Sequence, residues 1–287
     1  MIAACVLGCA GDQSAHKPDP RPGQPSSTAG EPSAPNAAHV TQSANATPRL
    51  CGVGNSESEV SEEILSRSGR GLLWLVVPDR AQTDEDELEV IRRGADEVRS
   101  ARALADCLLN HHDAGFAATQ TQAHDALVAW VDAHLGPEHA ETLLAAGAAY
   151  LASMLVAESW IDAALDVPAA RLFLERATAA APRLSDGLGP LILGAYECFI
   201  PKPVGGQPEA GLRRLEDAAS HGGRFRLAMK VAAAELCAFG LQDRALFFRL
   251  LDEVESSRDA SSTFDLLAKE RAKTLRTEVD ELFPDQS

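Results

Sequence analysis

From residue 56 onward, apolar residues recur at intervals of three and four, the period of an amphipathic helix, and the runs break at Gly and Pro. Leu227, Val231, Ala234 and Ala238 fall on one face of such a run, and Leu246, Leu250 and Val254 on one face of the next. Ala268, Ala272, Leu275, Val279 and Leu282 form a third stripe. The pattern predicts helices over residues 84–110, 117–135, 137–165, 168–180 and 188–199. The first opens on Asp84, Glu85, Asp86 and Glu87, carboxylates that favour a helix N-terminus. Pro137 and Pro168 are expected in the first turns of their helices, where a missing N–H costs nothing. Leu143 to Ala157 is nearly uncharged but shorter than the roughly 18–20 residues a bilayer crossing needs, so it is read as a buried helix.

One spacing repeats. Ala170, Leu174, Ala177 and Pro182 have the small, large, Ala, Pro order of the second helix of a tetratricopeptide repeat. Gly211, Leu215 and Ala218 restate the first three positions 41 residues later. A lone helix pair cannot bury its apolar stripe, so pairs must stack. The fold class expected over residues 56–287 is therefore all-α: stacked antiparallel helix hairpins in a tetratricopeptide-like solenoid.

Ahead of residue 56 the helical pattern is missing. Residues 1–9 are a short apolar stretch ending in Val6, Leu7, Gly8 and Cys9, which resembles a bacterial lipobox; residues 1–9 are read as a signal peptide and Cys9 as the lipidated residue. No Lys or Arg precedes the apolar stretch. Residues 10–55 contain no Phe, Trp or Tyr, while Pro18, Pro20, Pro22, Pro25, Pro32, Pro35 and Pro48 are spread among Ser, Ala, Thr and Gln. Such a segment buries too little apolar surface to offset its ordering entropy, and is expected to be a disordered linker. Ala10, rather than Asp, follows the cysteine, which is compatible with passage to the outer membrane.

Composition narrows the function. Aromatics are only 5%, which suits close helix packing and disfavours sheet. The formal net charge is −16, and since Asp12, Asp19 and Glu31 balance Lys17, Arg21 and Arg49, the whole excess lies in residues 56–287. Nucleic acid is excluded as a partner, because it requires clustered Lys and Arg. Apart from the lipidated Cys9, processing leaves Cys51, Cys107, Cys198 and Cys237, with no paired two-residue spacing that would hold zinc. Cys198 and Cys237 are read as small core residues, with a disulfide between helices as the alternative.

No constellation of nucleophile, base and acid emerges, so no catalytic, cofactor-binding or metal residues are assigned. His111 and His112 point about 100° apart on a helix and are read with Asp113 as a solvated helix end. His134 and His139 flank Gly136 and Pro137 and are read as turn residues. Gly187 and Gly189 lack the third glycine of a dinucleotide loop, and Gly205, Gly206, Gly222 and Gly223 are read as connecting turns. Lys269, Arg271, Lys273 and Arg276 alternate with Glu270 and Glu278 in an expected ion-pair face. Trp74, Trp130 and Trp160 are expected in the core, with Trp160 and Ile161 as candidate linings of an internal cavity.

Three stretches carry a family resemblance. Gly187 to Tyr196 (Gly-Leu-Gly-Pro-Leu-Ile-Leu-Gly-Ala-Tyr), Pro201 to Gly211 with its Gly205–Gly206 pair, and Gln242 to Phe247 followed by Leu250, Leu251 and Val254 are similar to the TatT family, the T component of TRAP transporters. The closing Leu266 to Lys269, Lys273 to Leu275 and Asp280 to Phe283 resemble the end of that family. The resemblance spans about residues 140–284; residues 56–135 share only their helical character. It implies a periplasmic lipoprotein, attached to a membrane only by its lipid, that assembles as a homo-oligomer, a trimer. It also implies docking to the periplasmic solute-binding protein of the transporter and help in the uptake of small, hydrophobic organic ligands. An envelope scaffold unconnected with transport is the alternative. In either case the chain works by binding rather than catalysis.

Replacing Cys9 with Ser should move the expressed chain from the membrane fraction to the soluble periplasmic fraction and abolish incorporation of labelled fatty acid. Unchanged labelling would remove Cys9 as the anchor.

Overall fold

The computed structural model describes residues 49–76, 84–120, 122–157, 159–200, 202, 205–258 and 262–284. Helices account for most of them, and no β-strand occurs among the described residues. The helices are α1 (Glu57–Val76), α2 (Asp84–His112), the single turn α3 (Phe116–Thr119), α4 (His124–His134), α5 (Ala140–Ser153), α6 (Trp160–Ala180), α7 (Leu188–Phe199) and α8 (Pro208–Ser220). Then follow α9 (Arg226–Ala232), continued by a π-helical segment (Ala233–Ala238) and a last turn (Phe239–Leu241), α10 (Arg244–Ser256), α11 (Thr263–Thr277) and the short α12 (Val279–Leu282).

Local chemistry sets several starts. Ser56 and Glu59 form a reciprocal cap on α1: the Ser56 hydroxyl accepts from the Glu59 N–H at 3.2 Å and the Glu59 carboxylate accepts from the Ser56 N–H at 2.9 Å. Asp243 caps α10 by accepting from the Leu246 N–H at 2.9 Å, and Ser262 and Asp265 make the same reciprocal box on α11.

Consecutive helices pair: α1 with α2, α5 with α6, α7 with α8. Contacts of α5 with α1 and α2, and of α6 with α7, join each pair to the next. Downstream, α9 packs on α8, α10 and α11. One device recurs in the first three pairs. A Cβ on Gly147 of α5 would lie 2.6 Å from Leu174 Cγ of α6, and a Cβ on Gly194 of α7 would lie 2.8 Å from Leu215 Cγ of α8. In α1, a Cβ on Gly71 would meet Val98 Cγ2 of α2 at 2.6 Å. Leu174, Leu215 and Val98 are each fully buried, a burial that stabilises by about 1.5–3 kcal/mol per side chain. The repeat seen at Ala170–Leu174 and Gly211–Leu215 thus marks where two helices touch. Gly94–Val98 is a further copy that the sequence pattern did not reveal.

Several expectations need correction. The helix expected over 117–135 is two, interrupted at Gln120, an exposed residue whose amide donates to Asp106 and Tyr150. The helix expected over 137–165 ends near Val156, and Pro168 lies inside α6 rather than in a first turn. Pro168 is exposed, so water can satisfy the carbonyl four residues back. Leu50 to Gly54, assigned by composition to the linker, belong to the folded body: Leu50 bridges to Gly54 and Cys51 is bonded to Cys107 of α2. Cys198 of α7 and Cys237 of the π segment also form a disulfide, so the alternative reading is the correct one. With sequence separations of 56 and 39, each closes a loop worth about 4 kcal/mol in the chain-entropy account. By length and hydropathy, Pro137–Val156 could cross a bilayer, contrary to the sequence reading, but 61% of its apolar window is buried among α1, α2 and α6.

Trp130 is buried as expected. The side chains of Trp74, Trp160 and Asp84 to Glu87, and the whole of residues 1–48, lie outside the described residues, so the cavity, acid-block and Cys9 expectations do as well.

Gly211→Ala should be among the costlier single-methyl additions. Its Cβ would sit 2.5 Å from Cys198 Sγ and 2.6 Å from the Gly194 carbonyl oxygen. Urea unfolding should show a loss of about 1–3 kcal/mol.

Candidate functional site

Two left-handed loops meet where α6, α7 and α8 converge. Ser185 and Asp186 have φ of 49° and 58°, an unusual conformation for side-chain-bearing residues, and Gly187 continues it at 84° into α7. After α8, Gly222 and Gly223 take φ of 81° and 90°. A Cβ on Gly223 would stand 3.2 Å from the Asp186 carbonyl oxygen, so the close approach of the loops also requires glycine there. Arg224 Nε then pairs with the Asp186 carboxylate at 2.9 Å and holds the loops together. This explains the Gly222–Gly223 turn. Gly205 is likewise left-handed, while Gly206 is not among the positive-φ residues.

Beside the clamp lies a groove of about 530 Å³ whose walls include Thr178, Pro190, Arg183, Arg214, Asp217 and His221. Arg183 is exposed, and Arg214 is anchored through two hydrogen bonds of 3.2 and 3.1 Å to Glu197, a carboxylate only 4% exposed. The Thr178 hydroxyl is buried without a hydrogen-bond partner. Cationic and anionic groups alternate around this groove, which suits a polar, mixed-charge surface. On the other flank of α8 a second groove, about 280 Å³, has Leu215, Met229 and Leu250 among its linings. Its rim is closed by Lys230–Glu253 at 2.6 Å and Arg249–Glu216 at 3.0 Å. The Lys230 hydrogen bond is the main reason the Glu253 carboxyl is held below its usual range.

Large apolar side chains also remain in solvent. Phe199 and Phe239, 64% and 44% exposed, follow the bonded pair Cys198 and Cys237 closely in the chain. Leu155, just after α5, and Leu165, within α6, are exposed as well.

Of the charged residues expected on an outer face, Lys273 and Glu270 pair there at 2.7 Å, whereas two arginines tie helices together. Arg271 bridges α11 to Glu235 of the π segment at 2.7 Å, and Arg276 reaches Glu255 of α10 at 2.7 Å, with Asp252 alongside. Deeper in the body, Arg102 of α2 lies 3.5 Å over the Tyr150 ring and pairs with Asp106 and with Asp166 of α6. The Tyr150 hydroxyl donates to Asp106 at 2.6 Å, and Ser153 donates to Asp166 at 3.0 Å. Burial, with Asp106 and Asp166 adding to it, pushes the Tyr150 pKa up, so the phenol stays protonated. Burial works against the Arg102 charge, but the surrounding acidic groups outweigh it and raise its pKa. This network braces α2, α5 and α6.

The histidines divide. His111 is exposed, as read, but the His112 side chain turns inward at 9% exposure. His134 closes α4, with its ring stacked on Trp130 at 5.0 Å and Nδ1 2.8 Å from the Trp130 carbonyl oxygen. His139 ends the turn Pro137–His139, and its ring stands 4.7 Å from that of His112. With Glu57, these two place one metal-ligating atom each within 4.8 Å of one another. Burial chiefly lowers the His112 pKa, opposed by Glu57 and reinforced by His139. Adjacency on one helix was the pattern searched for in the sequence; convergence of three separate elements left no spacing signal.

A family model described as TRAP transporter T-component matches residues 77–283. The chain belongs to the TRAP transporter T-component family. The match reaches back through α2 and so covers much of the first half, where the sequence resemblance had been only general. In this T-component it also takes in α6, α7 and α8, which build the larger groove. The chain is thereby an accessory transport component acting on the periplasmic side. No curated protein matches it.

Tyr150→Phe should lower unfolding stability by about 1–2 kcal/mol through loss of the hydroxyl bond to Asp106. Arg102→Met, which strands Asp106 and Asp166, should cost more in the same urea titration.

Proposed function

We propose that this T-component is a non-enzymatic periplasmic lipoprotein, held by acyl chains on Cys9 and a flexible linker, that docks the solute-binding protein of a TRAP transporter. Docked there, it assists uptake of small, hydrophobic organic ligands and works as a homo-oligomer, a trimer. The observation that carries the reading is the groove of about 530 Å³ between α6, α7 and α8, which lies within the family match and is walled by residues of the Gly187 to Tyr196 motif. Its alternating charges favour a protein surface over nucleic acid, in keeping with the net charge of −16. Exposed Phe199 and Phe239 supply apolar surface of the kind an interface covers. Two disulfides suit an oxidising compartment. A tetratricopeptide-like envelope scaffold remains the second reading, because helical pairs serve many partners.

Purification from detergent-solubilised membranes with residues 1–55 intact should recover a periplasmic solute-binding protein. Charge reversal at Arg183 together with Phe199→Asp should reduce that recovery about tenfold or more. Recovery of outer-membrane assembly proteins alone would replace this reading with the scaffold.

A further inference from the structure

We propose that Glu57, His112 and His139 form a binding site for one divalent transition-metal cation, with Zn²⁺ the best match to the donors, which fastens the open end of the α1–α2 pair to the turn ahead of α5. The inference is independent of the transport reading. The ligands come from three elements: the first residue of α1, the last of α2, and the last of the Pro137–His139 turn. Two imidazoles and a carboxylate are a zinc donor set that leaves a fourth position for water or an incoming carboxylate.

The geometry is close to what a metal needs. At Zn–ligand distances near 2.0–2.1 Å, tetrahedral ligands stand about 3.3–3.4 Å apart. His112 Nε2 and Glu57 Oε2 are already 3.5 Å apart, and all three ligand atoms lie within 4.8 Å of one another. The Glu57 side chain, 38% exposed, has room to rotate toward the two imidazoles. The His139 Nδ1 accepts from the Gly136 N–H at 3.1 Å, which fixes the ring and places its proton on Nε2; ligation through Nε2 requires that proton to shift to Nδ1 at the expense of this hydrogen bond.

A second observation points to a ligand. His112 Nε2 is buried and has no hydrogen-bond partner, a costly condition for a polar atom and one that a cation would relieve. The carbonyl end of α2 also favours positive charge at that position. Cys51–Cys107 pins the approach to α1 against α2 one to two turns before His112, holding two of the three ligands in reach.

The test uses the full chain, free of any tag and stripped with chelator. Calorimetric titration with Zn²⁺ should show one ion per chain, with affinity falling at least about tenfold in His112→Gln and in His139→Gln. His124→Gln, at the exposed first residue of α4, should leave binding unchanged. Circular dichroism checks that each variant is folded; Glu57→Gln, at a more exposed residue, serves as the third ligand test if either histidine variant is not. Co²⁺ should give the intense visible bands of a four-coordinate site. Substoichiometric Zn²⁺ uptake, uptake that survives the histidine substitutions, or a weak six-coordinate Co²⁺ spectrum would overturn the site and leave a His112–Glu57 ion pair in its place.

Discussion

Backbone-close contact between paired helices is the constraint on which this molecule depends. At Gly71, Gly147 and Gly194 the first helix of a pair offers no side chain, and Val98, Leu174 or Leu215 of the second helix fills the space. The residue one turn earlier on the second helix is small in each case: Gly94, Ala170 or Gly211. Axes brought this near leave little volume for large side chains, which accounts for the abundance of alanine in the buried core. A methyl group at any of these glycines acts on the distance between helices, not on one rotamer.

Thin packing of this kind buries less apolar surface per helix than packing through Leu, Ile and Phe would. Covalent and polar links make up part of the difference. Cys51–Cys107 and Cys198–Cys237 each join separate elements, and Arg102, Arg271 and Arg276 each join at least two helices through carboxylates. The Arg102 network is the most demanding of these. It gathers a cation, two carboxylates and a phenol, and the Gln120 amide, between α3 and α4, donates to Asp106 and Tyr150.

How much could be read in advance followed from the range of each interaction. Helical character, the Leu188–Phe199 helix and the repeat at Leu174 and Leu215 are local or periodic, so they were legible. Apolar periodicity did not show the break within 117–135 or the continuation of a helix through the exposed Pro168, because neither changes the spacing of the apolar residues around it. Disulfide partners, the inward turn of His112 and the Asp186–Arg224 clamp depend on elements far apart in the chain. The larger groove was only half visible: its glycine loops could be read as turns, but nothing in their spacing indicated that they face each other.

The placement of Cys51 carries a mechanical consequence. Tension arriving along the backbone from the residue 49 side meets the sulfur bridge before it meets α1, and passes directly to Cys107 in the interior of α2. Helix α1 is thereby left off the load path and is not peeled away turn by turn. A body pulled from that end would have to yield by shear of α2 against its neighbours, a far stiffer mode than unzipping.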